Sequence, residues 1–146
     1  MTDYLVDNSV WARAILGDAN MIARLRLVER TPSDLFVTCA PQVLEFCHSA
    51  RTPEEHGLYR DRISLGFPLE RVPDESLVLD IQGALWSAGL VRAAGPTDIL
   101  IAAYALVNDA TVLTADRDFD HIAKVTDLRH EYVAPSAERM RRGPKS

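Results

Sequence analysis

Four acidic residues stand at points where an apolar segment gives way to a helix or where a helix opens. Asp7 closes the segment 3–7, and Glu45 lies in the opening turns of the helix that follows residues 35–39. Asp98 starts a strongly apolar stretch, and Asp116 follows the strand-like 111–114, with Asp118 two residues on. Singly, each Asp has an ordinary role, because a carboxylate near a helix N-terminus caps backbone N–H groups and complements the macrodipole. Brought together, ionised carboxylates repel one another, and a fold keeps such a cluster only if a cation or raised pKa values relieve it. An oxygen-only donor set suits Mg2+ or Mn2+, and no Cys/His spacing favours zinc. Glu45-Phe46-Cys47-His48 has no partner motif elsewhere, so Cys47 reads as a core thiol and His48 as an ordinary helix residue. A carboxylate-held divalent ion open to solvent activates water and holds a phosphate for in-line attack, so phosphodiester hydrolysis is the chemistry these residues fit best.

Whether the acids meet depends on the elements that carry them. Residues 3–7 read as a short strand, and Met21, Ile22, Leu25 and Val28 mark one face of a helical stretch after it. A second strand over 35–39 leads through Pro41 into a helix to about residue 50. A polar helix follows Thr52 to about residue 66, and then an extended link or strand over 70–73. Leu77, Val78, Ile81, Ala84, Leu85, Ala88 and Val91 recur at helical spacing over 74–92, and Gly95-Pro96 ends that helix. Thr97 is the expected N-cap of a helix over 98–108, apolar nearly all round. A strand over 111–114, a short helix to Lys124 and a last strand near 128–133 complete the order. Strand alternating with helix predicts an α/β fold with a mainly parallel sheet, in which every strand ends at the one edge where ligands bind. All four acids fall on that edge.

The chain has 146 residues, 47% apolar and 25% charged, which fits one domain over 1–134. Residues 135–146, with Arg139, Arg141, Arg142 and Lys145, read as a basic flexible tail. A formal charge of −5 argues against nucleic-acid binding through bulk positive charge, though not against a local basic groove. Arg13, Arg51, Arg92 and Arg117 are candidates for phosphate contact, with surface solvation their ordinary role. Cys39 and Cys47 form no C-x-x-C pair and no basic, apolar leader opens the chain, so a reducing cytoplasm is expected. The longest apolar run, 99–107, is far short of the roughly 20 residues a membrane span needs. There is no Walker A loop or G-x-G-x-x-G, and Ser9 lacks a G-x-S-x-G elbow.

The ordered set Tyr4-Leu-Val-Asp7-Asn-Ser9, Val43-Leu-Glu45, Pro96-Thr-Asp98-Ile-Leu-Ile-Ala-Ala-Tyr-Ala105 and Val112-Leu-Thr114-Ala-Asp116-Arg-Asp118-Phe119 resembles the PIN-domain ribonucleases. Within them it is most similar to the VapC-type toxins of bacterial toxin–antitoxin pairs. The resemblance spans residues 4 to about 133. It implies a three-layer α/β/α fold with a mainly parallel sheet of about five strands, and a Mg2+- or Mn2+-dependent endoribonuclease site. It makes Asp7, Glu45, Asp98 and Asp116 the catalytic and metal-binding quartet, with Asp118 auxiliary and Ser9 and Thr114 supporting Asp7 and Asp116. Phe119 becomes a packing aromatic, and His121 carries no family role and reads as a helix-surface residue. The implied partners are RNA, a cognate antitoxin and a second copy of the chain. The alternatives are a catalytically inert PIN-like binding module and a receiver-like signalling domain. The latter needs a Lys near the last strands, and Lys124 falls in the wrong element.

Overall fold

The computed structural model describes residues 1–136. The central strand, β1 (Thr2–Val6), carries Leu5 and Val6 to opposite faces of the sheet, as the two-residue period of a strand requires. The chain turns at Asp7 into α1 (Asn8–Ile15) and α2 (Ala19–Arg30), then enters β2 (Asp34–Thr38). α3 (Ala40–His48) and α4 (Pro53–Ile63) precede the two-residue β3 (Phe67–Pro68). α5 (Glu75–Ser87) and α6 (Pro96–Asn108) lead to β4 (Thr111–Thr114), and α7 (Asp118–Val125) to β5 (Arg129–Tyr132).

The strands form one sheet in the order β3-β2-β1-β4-β5, and every pairing is parallel. Leu5 and Val112 point into a core made with Ile81 and Leu85 of α5, Ile99 and Ala102 of α6, and Phe119 and Ile122 of α7. Val6 and Leu113 point the other way, onto Val10 of α1 and Met21 and Leu25 of α2. Burial on both faces is what a parallel sheet demands, and it makes the three layers α/β/α. A smaller cluster of Phe46, Cys47 and Ile63 joins α3 to α4, with Trp11 and Tyr59 against it. α3 packs against both α1 and α6, so it bridges helices from the two layers at the functional edge.

Several local features differ from the sequence reading, each for a physical reason. The first helical stretch is two helices, because Gly17 takes φ 89° and Asp18 caps α2 by accepting from Asn20 N (3.0 Å) and Met21 N (3.2 Å). The third strand is residues 67–68 rather than 70–73, and the Leu69 N–H donates to Thr38 O at 2.8 Å to end the pairing. The helix expected over 74–92 stops at Ser87, where Gly89 at φ 77° supplies a left-handed residue. Gly95, not Thr97, is the N-cap of α6, and Pro96 occupies the first turn.

After β5 the chain returns to α2. Asn20 Nδ2 donates to Ala134 O (3.0 Å), and Ser136 N donates to Asp18 Oδ2 (2.9 Å). Arg24 adds a bidentate pair to Glu131 (2.6 and 2.9 Å) and donates to Tyr4 Oη (3.0 Å), tying α2 to both β5 and β1. The first residues of the expected tail are thus fastened. Arg139, Arg141, Arg142 and Lys145 lie outside the described residues.

Candidate metal centre

Asp7 is the residue after β1 and the N-cap of α1, and is only 4% exposed. Its Oδ2 accepts from Ser9 Oγ (2.6 Å), Ser9 N (3.3 Å) and Thr114 Oγ1 (3.2 Å). Burial pushes its carboxyl up, and those hydrogen bonds oppose the shift. Ser9 and Thr114 also fix the neighbouring backbone. Ala115 N donates to Ser9 Oγ and Asp116 N to Thr114 Oγ1, each at 2.9 Å. The two hydroxyls therefore lock β1 to β4 at the place where both strands end.

The β4–α7 loop is held as tightly. Asp118 N donates to Asp116 Oδ1 at 3.0 Å. The Arg117 guanidinium lies 3.6 Å from the Tyr132 ring centroid and pairs with Asp120 (3.2 Å), which His130 also contacts at 2.7 Å. Of the arginines named from sequence, Arg117 is thus occupied within the fold, and Arg13 donates to Ser9 O at 2.9 Å. Asp98 reaches the cluster from the first turn of α6, and Glu45 from the middle of α3.

Asp98, Asp116 and Asp118 offer carboxylate oxygens that all lie within 4.8 Å of one another. Asp7 and Glu45 stand outside this compact trio but within its electrostatic reach. Asp98 is pushed up to about 8, first by burial and then by Asp7, Asp116, Asp118 and Glu45. Glu45 is raised by burial and then by Asp7 and Asp116, and Asp118 by burial and then Asp116. Such a set is under strain without a counter-charge, and its donors are all oxygens. It fits a hard divalent cation.

The sequence reading made Asp118 auxiliary; in the fold it is one of the three closest carboxylates. His121 was read as a helix-surface residue. It is half-buried, and its Nδ1 is sealed from solvent with no hydrogen-bond partner among the described residues. Its place three residues beyond Asp118 on α7 was the signal available. Phe119 is fully buried, as a packing aromatic should be, and burial raises the Cys39 thiol to about 11, a structural cysteine. Cys47 is also buried in the core.

The fold and the site together define an α/β protein that gathers carboxylates at the carboxyl edge of a parallel sheet. The chain belongs to the PIN domain family, whose profile matches residues 4–125. It is 36% identical over 137 residues to Ribonuclease VapC21 of Mycobacterium tuberculosis, an alignment covering 90% of this chain and 94% of that protein. Ribonuclease VapC11 of the same species is 28% identical over 131 residues, with 86% and 95% covered. Among solved structures, VapBC2 from Rickettsia felis bound to a DNA fragment from its promoter superposes with TM-score 0.70 at 16% identity, covering 90% of this chain and 98% of that one.

Proposed function

We propose that this protein is a Mg2+- or Mn2+-dependent endoribonuclease and the toxin of a type II toxin–antitoxin pair. The observation that carries the reading is the trio Asp98, Asp116 and Asp118, with Asp7 and Glu45 beside it. The 36% identity to a protein named a ribonuclease, across nearly its whole length, supports RNA as the substrate.

Asp98, Asp116 and Asp118 would hold the ion, with Asp7 completing the site from β1. An ion there would supply charge for the phosphate oxygens and lower the pKa of a water. Ser9 and Thr114 keep Asp7 in one orientation, so the cluster is arranged before substrate arrives. Glu45, its carboxyl raised by burial and by its acidic neighbours, orients the attacking water and takes its proton. The Arg117–Tyr132 stack holds the loop bearing Asp116 and Asp118 against β5.

An apolar groove of about 600 Å3 lies between α1, β2, α3 and the end of α4, lined by Trp11, Phe36, Phe46 and Ile63, with Arg62 and Glu29 also lining it. Its occupant is proposed to be a segment of the antitoxin. Exposed Leu79 and Trp86, with Gly83 between them on α5, offer the face for a second copy of this chain. A cytoplasmic location goes with this reading, since RNA and antitoxin are met there. Among the described residues no helix is long and apolar enough to cross a membrane.

The test is RNA cleavage by the purified protein in Mg2+ or Mn2+ and in EDTA. Cleavage should require the ion and vanish in Asp98→Asn, with the circular dichroism spectrum unchanged. Undiminished cleavage in chelator would sink the metal mechanism, and full activity in Asp98→Asn would leave that residue only a role at the start of α6.

A further inference from the structure

A chain of contacts outside the carboxylates runs from β5 back to the loop that bears two of them. His130 and Tyr132 lie two residues apart on β5, opposite Val112 and Thr114 of β4. The two-residue period of a strand turns both towards α7, the side on which Val112 meets Phe119 and Ile122. Asp120, in the first turn of α7, is held from two directions. Its Oδ1 lies 2.7 Å from His130 Nε2, and its Oδ2 accepts from Arg117 Nη1 at 3.2 Å, while the Arg117 guanidinium rests on the Tyr132 ring. An ionised carboxylate has only acceptors, so the imidazole is the donor to Asp120. The Arg117 side chain is 66% exposed and that of His130 only 21%, which makes the histidine bond the more sheltered of the two.

Asp118 and Asp120 share that first turn. Fixing Asp120 against β5 fixes the start of α7, and with it the place of Asp118 beside Asp98 and Asp116. Three carboxylates so close repel one another until a cation arrives, so the restraint on the metal-free loop has to come from outside the trio. We propose that His130 is a positioning residue for the cation: through Asp120 it holds Asp118 within reach of Asp98 and Asp116, and so sets the affinity for the ion without touching it. The proposal rests on the reading of the trio as a cation site. Hydrogen-bonding partners one step removed from a metal ligand commonly carry about tenfold or more of the affinity.

The measurement is Mn2+ binding to the full chain, followed by electron paramagnetic resonance of the free ion, with urea unfolding alongside it. His130 is half-buried on a strand at the edge of the sheet, so its variants are expected to fold. His130→Ala should bind Mn2+ about tenfold more weakly than the wild type, and Asp120→Ala at least as weakly. His130→Gln, whose amide donates as the imidazole does, should recover most of the loss. The double variant His130→Ala/Asp120→Ala should be no weaker than Asp120→Ala, because the histidine acts through the carboxylate. Gly66→Ala, altered beside the far edge of the sheet, should bind Mn2+ as the wild type does. Unchanged affinity in His130→Ala, an equal loss in His130→Gln or in Gly66→Ala, or additive losses in the double variant would overturn the proposal. In the metal-free chain His130→Ala should also speed hydrogen exchange at the Asp118 amide, which donates to Asp116 Oδ1. A wild-type chain that binds no Mn2+ would overturn the cation reading, and exchange at Asp118 would then decide by itself whether His130 fastens the loop.

Discussion

Asp98 combines two roles that pull in opposite directions. As an acid in the first turn of α6 it complements the helix dipole, yet burial and four neighbouring carboxylates push its carboxyl to about 8. In the unfolded chain the same group titrates near 3.9. Between those values the folded protein holds a proton that the unfolded chain has released, so stability falls as pH rises through that window. The metal-free protein should therefore lose thermal stability from pH 5 to pH 9, and Asp98→Asn should flatten the curve. Saturating Mg2+ should flatten it in the wild type as well. A melting temperature independent of pH without metal would mean that burial and the neighbouring carboxylates do not hold a proton on Asp98. Thr114 offers a second test. Its hydroxyl is fully buried, donates to Asp7 and accepts from Asp116 N, so Thr114→Val keeps the shape and removes both bonds. The expected cost is about 1–3 kcal/mol in urea unfolding, with weaker Mn2+ binding because Asp7 and Asp116 lose their shared support.

At the scale of elements, position was legible where pattern and chemistry agreed. Thr111–Thr114 was readable as β4 because a mostly β-branched run is followed within two residues by the polar Asp116-Arg117-Asp118. α6 was readable because Gly95-Pro96 opens it and its residues are apolar on nearly every side, as burial between sheet and helices requires. Junctions were harder. The break between α1 and α2 depends on one left-handed glycine, and the end of α5 on another, while side-chain periodicity continues past both. Topology alone carries Asp7, Glu45, Asp98 and Asp116 towards one edge of the sheet. The closeness of Asp118 to Asp98 was not legible, because it depends on how the β4–α7 loop is folded by Arg117, Tyr132 and Asp120. The turn from α4 into β3 gives a sharp test of element packing. A Cβ at Gly66 would lie 2.8 Å from Thr38 Cγ2 and 3.4 Å from Phe36 O. Gly66→Ala should cost about 1–3 kcal/mol, read by urea unfolding, because β2 has to yield. Unchanged stability would show that Thr38 rotates away at no cost.

Across the whole molecule, the cation position and the apolar groove make different demands on one partner. The carboxylates attract a cationic side chain, and an Arg or Lys of the antitoxin is expected to displace the metal near Asp7, Asp98 and Asp116. The groove at Trp11, Phe36 and Phe46 is lined mainly by apolar side chains and would bury apolar surface instead. Salt screens the first attraction and leaves the second intact. The complex with the product of the adjacent gene should therefore persist on a column in 1 M NaCl. In a Trp86→Phe background, Trp11 fluorescence should shift when the partner binds. Dissociation by salt alone, with no change in Trp11 emission, would move the contact away from the groove. Growth arrest on expression should be relieved by the partner or by loss of the acids.

The strand order also has a consequence in time. β1 is made first but sits at the centre of the sheet, and its β4 neighbour lies near the end of the domain. Asp7 and Asp116 are separated by 109 residues (116 − 7). At roughly 5–20 residues per second, a ribosome needs on the order of 5–20 s to pass from one to the other. Until β4 is laid beside β1, the hydroxyl pair that locks Asp7 does not exist and the carboxylate trio lacks two of its members. On the proposed ribonuclease reading, a nascent or prematurely ended chain is expected to leave RNA uncut, because the carboxylate trio forms only once nearly the whole domain has been synthesised.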